Sequence, residues 1–292
     1  MDEASCRIVY LGLPLGALAL LRDGLNVAMA CVSRPAMPGM RRLRKLMAAR
    51  GAPLLATPDL SSPAVRELIA STQPDLLASW FWTRKVPSEV LALAPNAFGV
   101  HPSLLPRHRG PDPYFWALAR GDDETGVSAH FLAAEYDTGS VIAQRRLQIR
   151  PEWNSWQLAR ALDRPSLALM RSTAARFARG EDVPGETQDE ALATPAAEPD
   201  DDACELRWDW SAQQVLARIR AAAPYPGAFT GYGDETVNVA ARARALGLEL
   251  RTSGAEQMGL LVAVVTAVLS LSSVLVVLLA ALNIAHAFAS LV

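Results

Sequence analysis

Cysteine is scarce in this chain of 292 residues, and its three cysteines lie far apart. Cys6, Cys31 and Cys204 form neither a CxxC pair nor the spacing of a zinc site, which argues against a bound metal and against a disulfide framework. We therefore expect reduced thiols in an intracellular protein. The acidic start of the chain also lacks the positively charged opening of a signal peptide.

A strong net charge is missing as well. The formal net charge is -2 and the sequence pI is about 6.1, so the chain as a whole has no nucleic-acid signature. One segment is an exception, with the cations Arg34, Arg41, Arg42, Arg44, Lys45 and Arg50. Leu43 and Met47 provide the apolar stripe of a surface helix, so a solvated basic face is the simpler interpretation. The alternative is a patch that contacts phosphate groups of an acceptor.

Charge is absent altogether from residues 259–292. This run exceeds the ~20 apolar residues that span a bilayer, and we favour a C-terminal membrane anchor within the apolar tail at residues 258–292. Two alternatives stay open. The tail could form buried strands of a small barrel, or it could be an unrelated extension fused to a truncated domain.

The spacing of the apolar runs predicts an α/β fold. Residues 7–11 predict a buried strand, residues 17–22 a helix and residues 27–32 a second strand. This order favours a Rossmann-like, mostly parallel sheet. The first turn lacks the GxGxxG spacing, and no acidic residue closes the second strand, which argues against a dinucleotide site.

Aromatic and polar residues follow two later predicted strands, at residues 75–79 and 97–100. Trp80, Phe81 and Trp82 end the first of these strands. They would suit a flat aromatic ligand or form a lid over the core, and the sequence favours neither. The second strand delivers His101 to the edge of the sheet, where ligands of such folds bind.

A series of short motifs then follows in a fixed order: His101-Pro102-Ser103-Leu104-Leu105-Pro106, Arg109-Gly110, Thr125-Gly126-Val127, Asp137-Thr138-Gly139 and Gln144. Together they resemble the folate-dependent formyltransferase family, and most closely its methionyl-tRNA formyltransferase branch. The resemblance covers roughly residues 7–240. It continues to Trp208 and to a turn at residues 226–230 that is similar to the start of that branch's C-terminal domain.

The resemblance implies the following organisation and activity. A Rossmann-like catalytic domain would occupy residues 1–180, an acidic linker residues 181–205 and a shortened, β-rich C-terminal domain residues 206–250, before the apolar tail. The enzyme would transfer a formyl group from 10-formyltetrahydrofolate to a primary amine. His101 would stabilise negative charge on the formyl oxygen. Asp137 would hold His101 and help to take the amine's proton, through water.

The resemblance also implies a donor site. The residues expected to bind 10-formyltetrahydrofolate are Phe81, Trp82, Ser103, Leu104, Leu105, Pro106, Gly110 and Tyr136. The pterin would lie between the segment at residues 81–86 and the loop at residues 133–137.

One position departs from the family pattern. The family places an asparagine two residues before the catalytic histidine, and this chain has Gly99 there. Loss of one donor to an oxyanion typically costs ~10²–10³ in rate. A water or His108 could supply the donor, although a solvated loop residue is the simpler interpretation of His108. The alternative function is therefore a folate-binding homologue with weakened catalysis.

The acceptor is either methionyl-tRNA or a small amine, such as an amino sugar or an amino acid derivative. Residues 181–206 contain ten acidic residues and no lysine or arginine, and such a segment repels a phosphate backbone. The basic segment at residues 34–50 lies where the tRNA branch has its tRNA-contacting loop, which keeps tRNA open. We expect a cytoplasmic protein, with attachment to a membrane through the C-terminus as the alternative. The oligomeric state is left undetermined.

Overall fold

The computed structural model describes residues 6–232 and 235–239, and these divide into two compact units. One unit comprises residues 6–113, 125–147 and 161–197. The other comprises residues 114–124, 148–160, 198–232 and 235–239. The apolar tail, with its predicted membrane anchor, lies outside the described residues.

A twisted sheet is the centre of the fold. Its strands are β1 (Ile8–Gly12), β2 (Val27–Val32), β3 (Leu54–Ala56), β4 (Leu76–Trp80), β5 (Asn96–His101), β6 (Glu124–Phe131) and β7 (Val141–Gln148). They lie in the order β3-β2-β1-β4-β5-β6-β7. Neighbours from β3 to β5 run parallel, whereas β6 runs antiparallel to β5. The predicted Rossmann-like, mostly parallel sheet is confirmed.

Helices connect the strands and continue into the C-terminal region. They are α1 (Pro14–Arg22), α2 (Met40–Ala49), α3 (Pro63–Ser71), α4 (Ser88–Leu91), α5 (Pro113–Ala119), α6 (Ser155–Ala178), α7 (Asp201–Cys204) and α8 (Ala212–Ala222). α1 and α3 begin at proline, whose fixed φ suits the first helical turn. Across the described part of the chain, every helix is too short or too polar to cross a bilayer.

Apolar side chains cover both faces of the parallel strands, as such strands require. On one face, Tyr10 packs with Leu43 of α2 and Met170 of α6. On the other face, Leu11 packs with Ile69 of α3. Burial of a side chain of this size stabilises a fold by about 1.5–3 kcal/mol. The two layers therefore hold the carboxyl ends of β4 and β5 in fixed positions.

The sequence predicts a helix at residues 155–177 that is interrupted near Pro165, and the interruption is wrong. α6 continues through Pro165. The turn around the proline is tied to its surroundings, because Ser166 Oγ donates to the carbonyl oxygen of Asp163 at 2.9 Å and accepts from Trp80 Nε1 at 3.0 Å. These bonds hold the helix in place around the proline, and neither replaces the N–H group that proline lacks.

The second unit contains a small antiparallel sheet of β8 (Phe229–Tyr232) and β9 (Glu235–Asn238). Helix α8 in the same unit begins with a capping box between Ser211 and Gln214. The N–H of Leu206 donates to the carbonyl oxygen of Phe229 at 2.8 Å, which ties the chain before α8 to the sheet. A short C-terminal region with β structure is therefore confirmed.

Candidate active site

His101 is the last residue of β5, and it lies against Asp137 on the loop between β6 and β7. His101 Nδ1 is 3.4 Å from Asp137 Oδ2, and their side chains are 7% and 15% exposed. His101 Nε2 is 2.7 Å from the carbonyl oxygen of His108. Both ring nitrogens thus face oxygen acceptors, and only the imidazolium form donates to both. The structure brings together the two residues predicted to be catalytic.

The backbone holds the Asp137 carboxylate from another side. Gly110 N–H donates to Asp137 Oδ2 at 2.9 Å. Gly110 has a φ of +123°, and an added Cβ would lie 2.7 Å from the carbonyl oxygen of Ala196, so this position requires glycine. Asp137 itself has a φ of 56°, in the left-handed region that aspartate tolerates better than most residues other than glycine. Gly110, predicted to bind the donor, therefore also positions the carboxylate.

The loop after His101 is fixed by a network of short hydrogen bonds. Ser128 Oγ donates to the carbonyl oxygen of Ser103 at 2.6 Å and accepts from the N–H of Leu105 at 3.0 Å. Gln144 Nε2 donates to the carbonyl oxygen of Leu105 at 2.9 Å and to Ser128 Oγ at 2.8 Å. Ser103 and Leu105 are buried, whereas the predicted donor-binding residues Leu104 and Pro106 are half-buried and offer a surface to a ligand.

The aromatic residues after β4 have separate roles. Trp80 is in the core, 3% exposed, with its Nε1 bonded to Ser166. Phe81 is half-buried with a φ of 57°. Trp82 Nε1 is buried, and no acceptor among the described residues reaches it. Because buried N–H groups are nearly always bonded, this donor indicates a place for a ligand or a water.

The segment at residues 81–86 also contacts the loop that carries Asp137. Lys85 Nζ lies 3.2 Å from Glu135 Oε1, which joins the two segments between which the pterin was predicted to lie. Tyr136 is 51% exposed on that loop. All eight residues predicted to bind the donor thus lie on the β4 end, on the loop after β5 or on the loop after β6, and their role in binding stays a prediction.

His130 of β6 is a site residue that the sequence reasoning missed. Its Nε2 lies 3.5 Å from Asp137 Oδ1, and its side chain is 4% exposed. Burial lowers the pKa of His130 from its ordinary value to about 4, against the opposing charge of Asp137. One carboxylate therefore lies between two imidazoles, and burial favours the neutral form of His130. Side chains alternate between the two faces of a strand, so His130 lies on the same face of β6 as Ser128, and this spacing could have indicated it.

A second set of missed residues lies in the segment predicted as an acidic linker. Gln188 is buried, and its Nε2 donates to the carbonyl oxygens of Asp137 and Gly139, both at 2.7 Å. Its Oε1 accepts from Arg109 Nη2 at 2.8 Å. Glu190 accepts from the same guanidinium, and this bond raises the pKa of Arg109. Nothing in the acidic composition of this stretch distinguishes Gln188.

Residues 186–196, the segment that contains Gln188 and Glu190, form a returning segment whose backbone pairs with the loop after β5. Arg109 N–H donates to Thr194 O at 2.9 Å, and Ala196 N–H donates to Arg109 O at 2.6 Å. His108 N–H donates to Thr194 Oγ1 at 2.9 Å. His108 is 2% exposed, so the prediction of a solvated residue there was wrong. The loop whose His108 carbonyl faces His101 Nε2 is thus also held by Thr194 and Ala196 of the returning segment.

The neutral His130 predicts a pH dependence of stability. Its pKa is about 4 in the folded protein and about 6.5 when unfolded, so the unfolded chain holds more protons between these values. Stability is full above pH ~6.5 and is lost as the pH falls towards ~4. Between pH 7 and pH 5 this should cost about 2 kcal/mol. The charged neighbours Asp137, His101 and Arg109 contribute to the value.

Urea unfolding of the full chain at pH 7 and pH 5 measures this effect. The variant His130→Gln does not titrate, so its free energy of unfolding should fall less than that of the wild type across the same interval. For each protein, the free energy of unfolding at pH 5 is subtracted from that at pH 7, and the two differences are compared. Any cost of the substitution that is the same at both pH values then cancels. An equal fall in the free energy of unfolding in both proteins would contradict a neutral, buried His130.

Comparisons with known proteins bear on this arrangement. The family model described as formyl transferase matches residues 33–172, and the model described as the formyl transferase C-terminal domain matches residues 200–272. The second match overlaps the start of the apolar tail. Together the two matches cover most of the chain, and the first includes the loop after β5 and Asp137.

Solved structures show the same fold. A sugar N-formyltransferase from a Shewanella species is 16% identical, with a TM-score of 0.62 over 80% of this chain and 96% of its own. A 4-N formyltransferase from Francisella tularensis is 15% identical, with a TM-score of 0.62 over 79% of this chain and 95% of its own. HypX from Aquifex aeolicus in complex with tetrahydrofolic acid is 20% identical, with a TM-score of 0.55 over 77% of this chain and 35% of its own.

The Rossmann-like sheet with a histidine–aspartate pair at its carboxyl edge, where ligands of such sheets bind, is the arrangement of an α/β enzyme. This chain belongs to the formyltransferase family and is a formyl-transferring enzyme. Members of this family use 10-formyltetrahydrofolate, the donor predicted from the sequence. The methionyl-tRNA branch stays a prediction.

Proposed function

We propose that this site transfers a formyl group from 10-formyltetrahydrofolate to the primary amine of a small acceptor, with an amino sugar as the favoured class. The contact of His101 with Asp137, 3.4 Å apart at the carboxyl end of β5, carries the proposal. A hydrogen-bond donor for developing negative charge and an acceptor for a proton lie side by side there. Ligands of open α/β sheets bind at this edge.

His101 and Asp137 divide the chemical work. The folate supplies the formyl group, which passes to the amine nitrogen. Negative charge develops on the formyl oxygen as the amine nitrogen bonds to the formyl carbon, and the His101 imidazolium donates to that oxygen. His101 Nδ1 lies 3.4 Å from Asp137 Oδ2, which is longer than the ~2.7–2.9 Å of a strong charge-assisted hydrogen bond. The Nδ1–H group is therefore available to the formyl oxygen. Asp137 stabilises the imidazolium and accepts the proton released by the amine, and it passes this proton to the folate nitrogen as the bond from that nitrogen to the formyl carbon breaks.

The residues on the donor side fit a flat, polar-edged ligand. Phe81 and Tyr136 provide aromatic surface, and Leu104 and Pro106 provide half-buried apolar surface. The guanidinium of Arg84 lies over the Trp82 ring, 4.5 Å from its centre, so Trp82 offers its ring edge. The buried Nε1 of Trp82, which has no acceptor in the described part of the chain, can donate to a ring nitrogen or carbonyl of the pterin. We assign donor binding to these residues.

Two observations favour a small amine as the acceptor. Relatives of similar length are a sugar N-formyltransferase and a 4-N formyltransferase. The acidic segment at residues 186–196, with Glu186 and Asp189 exposed, pairs with the loop after β5 and disfavours the approach of a phosphate backbone.

Methionyl-tRNA is the second candidate acceptor, and helix α2 favours it. The exposed cations Arg41, Arg42, Arg44 and Lys45 on α2 pair with no carboxylate among the described residues. Such a face attracts phosphate groups, whether of a nucleotide-linked sugar or of tRNA.

A formyl-transfer assay with the full chain tests these alternatives. Release of tetrahydrofolate is followed with 10-formyltetrahydrofolate and, in parallel, glucosamine, a nucleotide-linked amino sugar, a panel of amino acids and charged initiator tRNA. We expect turnover with an amino sugar. Turnover with the tRNA alone supports the second candidate, and no release with any acceptor overturns the proposed function.

A further inference from the structure

Gly99 and His130 are directly paired across β5 and β6, so side chains at the two positions share one face of the sheet. A Cβ added to Gly99 would lie 3.7 Å from His130 Nε2 and 2.9 Å from Leu132 Cδ2. The space where an asparagine side chain would begin is thus bordered by His130 and partly filled by Leu132. His130 is the polar group that this face presents to Asp137.

The hydrogen bonds of His130 determine which ring nitrogen carries the proton. Nδ1 lies 2.9 Å from the carbonyl oxygen of Phe131, which only accepts, so Nδ1 is the protonated nitrogen. The neutral ring therefore has a lone pair at Nε2. This lone pair faces Asp137 Oδ1 at 3.5 Å.

Two acceptors at this separation repel each other unless a donor lies between them. A primary amine can donate one N–H to each and keep its own lone pair free for attack. We propose that His130 Nε2 and Asp137 Oδ1 together bind the attacking amine of the acceptor, with His130 as a catalytic residue that touches the reacting nitrogen. This inference rests on the proposed formyl transfer.

His130 accepts a hydrogen bond in this arrangement and takes no proton. The amine nitrogen forms its bond to the formyl carbon and releases a proton to Asp137, while His130 stays neutral. The bond from the formyl carbon to the folate nitrogen then breaks, and that nitrogen takes the proton from Asp137. The oxyanion is left to His101. His130 therefore does not imitate an asparagine donor at position 99; it orients the nucleophile in a site that has no side chain there.

Kinetics of two variants test the role of Nε2. His130→Leu keeps bulk without an acceptor, whereas His130→Gln places an amide oxygen near the position of Nε2. With glucosamine as the amine, we expect His130→Leu to raise the KM for the amine about tenfold, with the KM for the donor nearly unchanged. His130→Gln should recover most of the loss. Equal changes in both KM values, or no recovery by a folded glutamine variant, would overturn the proposal.

The substitution Gly99→Asn provides a second test, because the proposal predicts a loss of turnover where a missing amide donor would predict a gain. Its amide would donate to His130 Nε2 and occupy the acceptor, while its Cβ displaces Leu132. Turnover should therefore fall, both alone and together with Leu132→Ala, which relieves the contact. A rise in turnover would overturn the proposal and support a weakened enzyme that has lost its amide donor.

A measurement without turnover separates this inference from the proposed function. Nitrogen-15 NMR of the histidine rings in the full chain at neutral pH should show His130 protonated at Nδ1 only. Added glucosamine should move the Nε2 resonance. If the wild type transfers no formyl group to any amine, the proposed function fails, and the spectrum still shows whether His130 binds the amine. A protonated Nε2, or an Nε2 resonance that glucosamine does not move, overturns the proposed role of His130.

Discussion

Asp137→Asn should reduce formyl transfer by about 10³–10⁴-fold in kcat while the protein stays folded. An asparagine oxygen can still accept the N–H of Gly110, which donates to Oδ2 at 2.9 Å in the wild type. The amide has no negative charge for the His101 imidazolium and cannot take the amine's proton. The loss should therefore appear in kcat with each active acceptor, as measured by release of tetrahydrofolate.

Asp75→Asn is the matched control for this prediction. Asp75 forms an ion pair with Arg7, 3.1 Å apart, on a different part of the same unit. Its replacement removes one carboxylate of the same size and should leave kcat near the wild-type value. Comparable losses in the two variants would show that Asp137 contributes only through stability, and activity retained by Asp137→Asn would refute the assigned role.

His101→Ala should lower kcat by about 10²–10³-fold, because the donor to the formyl oxygen is lost. The side chain is 7% exposed, so the substitution leaves a buried space beside Asp137. Imidazole added to the assay can enter that space and restore part of the rate. Recovery that depends on imidazole concentration would identify the ring itself as the missing group.

Donor binding provides the control for His101. His101→Ala should still bind tetrahydrofolate, measured by calorimetry, because the assigned donor-side aromatic residues lie on other segments. Loss of both turnover and folate binding would point to a collapsed loop, and a rate insensitive to imidazole would argue against the donor role.

The architecture was predictable from local patterns. Buried runs such as residues 27–32 and the helices between them are short-range signals, and a strand–helix–strand order leaves little choice of topology. The interruption at Pro165 was wrong because tertiary contacts hold α6, among them the bond from Trp80 Nε1 to Ser166 Oγ, whose partners are 86 positions apart. Sequence spacing contains no information on such a partner.

Some residues of the site could be predicted from local motifs, and others could not. His101 and Asp137 stand in short, ordered motifs, so their proximity could be expected. His130 stands in an ordinary strand pattern, and its importance depends on the register that sets it opposite Gly99. Gln188 became part of the site only through tertiary contacts with the Asp137 loop.

Gly99 also has a different meaning once the structure is known. By sequence it is a missing donor and a reason to expect slow catalysis. In the structure, Leu132 fills part of the space and a neutral imidazole borders it. Weak turnover therefore does not follow from the glycine alone.

The contacts of residues 186–196 bear on how the chain can be divided. A fragment that stops at residue 180 would retain His101, Asp137 and all the residues assigned to donor binding. It would nevertheless lose the bonds from Gln188 to the carbonyl oxygens of Asp137 and Gly139, and the pairing of Thr194 with Arg109. The shortest piece worth expressing as a catalyst therefore ends no earlier than residue 197. Acidic composition is a poor guide to where this protein can be cut.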